Sequence, residues 1–175
     1  MYEKTLARKT VFEGRILSVD VLEVELEDGR TSVREIVQHG VAVAIIAQLP
    51  DGRFIFIRQF RKAMERVCFE VVAGNCDPDE DEAVSAAREL QEETGYMARS
   101  MELLGPVFPS VGYCTERIDI YFANVSGQGA TAFDEDEDIE TVILTEAEMD
   151  KMIRTNQIAD AKTLAAWMLY KAKKA

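Results

Sequence analysis

Three glutamates and an arginine crowd one short stretch, Arg88-Glu89-Leu90-Gln91-Glu92-Glu93. On a helix, residues four apart share a face, so Glu89 and Glu93 project together, with Glu92 about a quarter turn away. Carboxylates this close repel one another. A hard divalent cation that prefers oxygen, Mg²⁺ or Mn²⁺, relieves that repulsion. Arg88 stands four residues before Glu92 and can hold that carboxylate in place while the others take metal. The competing reading is a solvated acidic face, which is what most Glu-rich helices present.

These side chains act together only if a helix carries them and a strand brings backbone beside them. Ala83, Ala86, Ala87, Leu90 and Thr94 recur at helical spacing and Gly95 follows as a stop, so the pattern predicts a helix over 82–94. An apolar strand is expected over 67–73. It ends at Gly74, which permits close backbone approach or a positive φ, and an acidic loop containing Pro78 leads on to the helix. The apolar runs 41–47 and 54–60 flank Pro50-Asp51-Gly52 and read as a central hairpin. Further strands are expected over 101–108, 118–125 and 139–144. Two helices should follow, one opened by Thr145 with Glu148 at capping-box spacing, the other over about 160–173. Residues 9–38 alternate β-branched and polar types around Glu27-Asp28-Gly29 and read as a meander of short strands. Strands and helices mixed in this order suggest an α/β sandwich.

Composition narrows the partners. A chain of 175 residues with 47% hydrophobic content can bury one sizeable core and a small appendage. Its formal charge of −12 would repel a phosphate backbone, which argues against nucleic acid. Cys68, Cys76 and Cys114 lack metal-ligand spacing and read as reduced thiols. No stretch has the roughly 18 apolar residues needed to span a bilayer, and the first residues lack an apolar leader core, so a soluble cytoplasmic protein without membrane partners is expected. His39 is the single histidine and lies near no evident nucleophile, which argues against a histidine metal cluster or a Ser-His-Asp triad. Trp167 and Tyr170 share helical spacing with Leu164 and Met168, a packing pattern.

The full spacing is Gly74, five residues, Glu80, seven residues, Arg88-Glu89-Leu90, one residue, Glu92-Glu93, one residue, Gly95-Tyr96. It resembles the Nudix box at every specified position. The flanking segments Arg58-Gln59-Phe60-Arg61, Glu70-Val71-Val72-Ala73-Gly74 and Pro109-Ser110-Val111-Gly112 are similar to the ADP-ribose and nucleoside diphosphate sugar pyrophosphatase branch of that family. That branch usually has proline where this chain has Val72 and Val111.

The resemblance implies an α/β (α+β) fold, a Nudix α/β/α sandwich with a mixed central sheet and an N-terminal antiparallel β-module. The module would span 1–38 and serve dimerisation and substrate contacts, and the hydrolase domain would span 39–175. The implied reaction is Mg²⁺-dependent (or Mn²⁺-dependent) hydrolysis of ADP-ribose or a related nucleoside diphosphate sugar to a nucleoside monophosphate and a sugar phosphate. Glu89, Glu93, Glu137 and the Ala73 carbonyl would hold metal, Glu92 would either ligate it or support the ligands, and Arg88 would support them. From the acidic run 134–138, Glu135 would take the proton from the attacking water. Arg34, Arg61 and Glu116 would contact substrate, with Arg58 a lesser candidate and Tyr2 and Phe12 candidate nucleobase contacts. A homodimer with exchanged N-terminal strands is the implied assembly. The alternatives are a nucleoside triphosphate housecleaning pyrophosphatase and a Nudix-fold module that binds nucleotide sugars without cleaving them.

Overall fold

A computed structural model describes residues 1–132 and 138–174, and its chain sorts into two compact units. The first comprises residues 1–41 with 108–117. Its strands β1 (Glu3–Glu13), β2 (Leu17–Leu26) and β3 (Thr31–His39) form an antiparallel sheet in the order β1-β2-β3. The turn between β2 and β3 is closed by the Gly29 N–H donating to the Leu26 carbonyl at 2.9 Å, with Gly29 at φ 83°. β1 begins at Glu3, six residues before the expected meander. Pairing from Glu3↔Leu26 to Glu13↔Ser18 holds it, although every one of its residues is exposed. Hydrophobic alternation could not reveal a strand made by its ladder alone. Residues 113–115 run beside the end of β3, where the Val37 N–H donates to the Tyr113 carbonyl (2.7 Å) and the Thr115 N–H to the Val37 carbonyl (3.0 Å). His39 closes β3 there.

The second unit, residues 42–107 and 118–175, holds the larger sheet. Its strands are β4 (Val41–Gln48), β5 (Phe54–Arg61), β6 (Arg66–Glu70), β7 (Val72–Asn75), β8 (Tyr96–Val107), β9 (Arg117–Gln128) and β10 (Ile139–Leu144). They form a mixed sheet in the order β10-β5-β4-β9-β8, with β6 on β5 and β7 on β4. The expected central hairpin survives only at its closed end, Ala47↔Ile55 and Gln48↔Phe54. Beyond that the strands part. β5 pairs with β6 from Ile57↔Glu70 to Arg61↔Arg66, and β4 pairs with β7 from Ile45↔Val72 to Ala42↔Asn75. The strand expected over 67–73 is accordingly two. It breaks at Val71, whose N–H leaves the ladder and donates to Thr163 Oγ1 at 2.8 Å.

Alternation along β4 builds the layers. Ala42, Ala44 and Ile46 face one core with Phe54, Phe56, Ile118 and Ile120, covered by Met149 of α2 (Glu146–Arg154) and Trp167 of α3 (Ala161–Lys174). Val43, Ile45 and Ala47 face the opposite core with Ile55, Ile57 and Val72, covered by Ala86 and Leu90 of α1 (Glu82–Thr94). The result is an α/β/α sandwich. Phe54 meets Trp167 edge-on at 5.1 Å between centroids, and Trp167 Nε1 donates to Asp150 at 2.8 Å, so the tryptophan is structural core as its spacing suggested. The capping box is present, Glu148 N–H to Thr145 Oγ1 and Thr145 N–H to Glu148.

Candidate active site

α1 has the span its periodicity predicted, and both ends are fixed by side-chain or backbone chemistry. The Asp81 carboxylate accepts from the Ala83 and Val84 N–H groups, and Gly95, at φ 73°, donates its N–H to the Gln91 carbonyl. Ser85, Ala86, Leu90, Glu93 and Thr94 form the buried face. Glu93, at 3% exposure, is therefore drawn in with the apolar residues, while Glu89 and Glu92 lie progressively nearer solvent, at 14% and 39% side-chain exposure.

Arg88 organises the acidic group. Its Nη1 donates to Glu89 (2.8 Å) and Glu92 (2.9 Å), its Nη2 to Glu80 (3.0 Å) and to the Asn75 carbonyl (3.3 Å). Ser85 Oγ donates to the same Glu80 carboxylate at 2.6 Å. Sequence spacing pointed to one partner, Glu92, whereas the planar guanidinium spans three carboxylates, including Glu80 across the loop. Hydrogen bonding to Glu80, and then to Glu89 and Glu92, drives the Arg88 pKa further upward, and the Arg88 bond in turn holds the Glu80 carboxyl below the usual range.

β7 lies beside this cluster, and Gly74 is required there by space. A Cβ at position 74 would overlap the Glu89 carboxylate. Gln59, Arg61, Ala73, Gly74, Glu89 and Glu93 are among the walls of one cleft of about 470 Å³. Ala132 also lines it and is tethered to α1 through its N–H donated to the Glu92 carbonyl at 2.9 Å. On the other flank of the run 133–137, Ile139 pairs with Gln59. Glu135 and Glu137 themselves lie outside the described residues. Among the described residues, no three His, Cys, Asp or Glu side chains meet closely enough to form a metal centre by themselves. The donors that do line the cleft are carboxylate oxygens, with the Glu89 carboxylate seated against bare backbone, and such a set fits a hard divalent cation.

Arg61 is fixed by a residue that spacing did not single out. Its Nε and Nη2 donate to the two oxygens of Glu70 at 2.7 and 2.8 Å, and Lys162 from α3 donates to Glu70 as well. Burial pushes the Glu70 carboxyl up, but these hydrogen bonds and charges outweigh it and hold it below the usual range. The one sequence signal for Glu70 is its place in the Glu70-to-Gly74 segment. Gln59, in the Arg58-to-Arg61 segment, carries no sequence signal for a role. Its Oε1 is buried and accepts no hydrogen bond among the described residues. Arg58 points elsewhere, to an exposed pair with Glu140 at 2.9 Å.

Arg34 and Glu116 belong to the first unit. Arg34 is held by Glu3 of β1 through Nε (3.0 Å) and Nη2 (2.5 Å), and Glu116 is half-buried, its N–H directed at Cys114 Sγ at 3.5 Å. Tyr2 and Phe12 are exposed. The three cysteines form no disulfide.

A mixed sheet between helical layers, with an acidic helix packed against a glycine-bearing strand, is a fold shared with a solved structure described as an ADP compounds hydrolase. That similarity has a TM-score of 0.87 at 24% identity and covers 98% of this chain and 94% of the other. Residues 38–167 match the NUDIX domain, and residues 3–37 match the nucleoside diphosphate sugar hydrolase N-terminal domain. The chain belongs to the Nudix hydrolase family, whose members generally use a divalent metal. It is 35% identical over 175 residues to the ADP-ribose pyrophosphatase of Bacillus subtilis, covering 99% of this chain and 95% of that protein. It is 39% identical over 166 residues to the methanol dehydrogenase activator of Bacillus methanolicus, covering 94% and 90%.

Proposed function

We propose that this chain hydrolyses the diphosphate of ADP-ribose or a related nucleoside diphosphate sugar, with Mg²⁺ or Mn²⁺, releasing a nucleoside monophosphate and a sugar phosphate. The observation that carries this reading is the joining of carboxylates and a fixed arginine in one cleft, Glu89 and Glu93 with Arg61. The name of the B. subtilis relative and the match of the N-terminal segment to a nucleoside diphosphate sugar hydrolase domain support the substrate class.

In this reading Glu89, Glu93, Glu137 and the Ala73 carbonyl hold the cation. When bound, it neutralises phosphate charge and acidifies water. Arg88 keeps Glu89 and Glu92 oriented against their mutual repulsion. Glu135 accepts the proton of the water that attacks phosphorus as the bridging P–O bond breaks. Arg61, Arg34 and Glu116 contact the substrate. The 1–38 module serves a homodimer with exchanged strands, a reading supported by the wholly exposed β1 and its bare Leu6, Val11 and Phe12. No described helix is long and apolar enough to cross a membrane. The formal charge of −12 supports the absence of nucleic-acid partners, and a cytoplasmic location belongs to the same proposal.

The test is a panel of sugar nucleotides and nucleoside triphosphates incubated with Mg²⁺ or Mn²⁺, followed by product identification. Nucleoside monophosphate plus sugar phosphate is the expected pair. Faster release of pyrophosphate from triphosphates would favour housecleaning. Tight binding without products would favour a non-catalytic module.

A further inference from the structure

Glu70 is the least exposed carboxylate of this region, at 2% side-chain exposure, and it ends β6, pairing with Arg61 while not itself lining the acidic cleft. A carboxylate buried this deeply is tolerated only when charge-assisted hydrogen bonds replace its water. Glu70 has three, two from Arg61 and one from Lys162. The side-on pairing through Nε and Nη2 occupies one edge of the Arg61 fork. Both Nη1 hydrogens and one on Nη2 are left directed away from Glu70. Arg61 lines the acidic cleft and also a second cavity of about 460 Å³ bounded by Cys68, Gln157 and Lys162.

The start of α3 locks this pairing from a distance of 92 residues in sequence. Lys162, only 15% exposed, is held between Glu70 and Asp160 (3.1 Å). Asp160 accepts from the Thr163 N–H and Oγ1 at 3.0 and 2.6 Å, and Thr163 Oγ1 in turn accepts the Val71 N–H. One turn of helix therefore fixes the carboxylate behind Arg61 and the β6–β7 junction that leads to Ala73 and Gly74.

We propose that Glu70 and Lys162 are positioning residues that hold the free edge of the Arg61 guanidinium toward the cleft, so that it meets an oxyanion of the substrate's diphosphate. The inference rests on the reading of the cleft as a diphosphate site. Lys162 acts through Glu70 and Arg61, without touching the diphosphate itself.

A double-mutant cycle distinguishes an indirect role from a direct one. ADP-ribose is titrated calorimetrically into the full chain in EDTA, for wild type, Arg61→Ala, Lys162→Met, the double variant and Lys162→Arg, with thermal melts as the check on folding. Arg61→Ala and Lys162→Met are each expected to weaken binding about tenfold. The double variant should be no weaker than Arg61→Ala within about twofold, and Lys162→Arg should restore most of the loss. In turnover assays Lys162→Met should raise KM with kcat changed by less than about threefold. Wild-type binding by Lys162→Met, or losses that multiply in the double variant, would overturn the inference. Should Lys162→Met lose its folded baseline, Lys162→Gln takes its place in the same cycle. Wild type that binds ADP-ribose but releases no products from any sugar nucleotide contradicts the hydrolase reading, and the binding cycle still decides the positioning role.

Discussion

The Glu89 carboxylate occupies the space that a side chain at position 74 would need. Gly74→Ala must therefore displace Glu89 or push β7 away from α1. Hydrolysis should fall at least about 100-fold, because displacements near 1 Å cost that much when a reacting group must be placed. Because the overlap is with the tip of one side chain at an open cleft, stability should fall by no more than about 1 kcal/mol. Steady-state kinetics beside a denaturant melt checks both, and unchanged activity would mean that the Glu89 position is immaterial.

Arg88 binds three carboxylates that otherwise face one another. Arg88→Lys keeps the charge but cannot reproduce the fork, so activity should drop about 10–100-fold. The stability loss should stay within about 1–2 kcal/mol, since the arginine is 28% exposed and its pairs are partly screened. A large loss of stability with full activity would reverse the assignment.

The Glu70 carboxyl sits below its ordinary value of 4.5 in the folded chain. The unfolded chain then binds the extra proton first as pH falls, so the contribution of Glu70 is fully present above pH of about 4.5. It is lost as pH drops through the lowered folded value. Glu70→Gln should destabilise the protein at neutral pH and flatten the acid limb of the stability profile. Urea melts from pH 3 to 7 test this, and parallel profiles for the two proteins would contradict it.

Trp167 lies at 3% exposure among Phe54, Phe56 and Tyr170. Trp167→Ala should cost about 3–5 kcal/mol, while folded protein at low temperature keeps its turnover. Loss of turnover with an unchanged melt would give the tryptophan a functional role.

What could be read in advance follows from how local each signal is. α1 was legible to the residue because its apolar period and the Gly95 stop that follows it are local signals, whereas the Asp81 cap emerged only from the structure, and β10 was bounded by its own apolar run. The single strand expected over 67–73 divides because Val71 answers to Thr163, far away in the chain. The ends of β8 and β9 extend past their apolar stretches because each pairs with the other, from Tyr96↔Gln128 onward. In the site, the helical carboxylates were visible as a spacing. The partners of Arg61 were not, since Glu70 and Lys162 meet only after folding. The additional bond from Arg88 to Glu80 likewise depends on how the loop before α1 closes.

Glu93 is the deepest of the helical carboxylates in the cleft, so metal-dependent hydrolysis should depend on it more than on any other side chain of α1. Hydrolysis of ADP-ribose is measured with Mg²⁺, with EDTA, and with the Glu93→Gln variant at matched folded concentration. Nucleoside monophosphate and sugar phosphate are expected from wild type with metal, with no turnover in EDTA and a loss of about 1,000-fold or more in the variant. Equal rates with and without metal, or an unimpaired Glu93→Gln, would contradict the proposed hydrolysis.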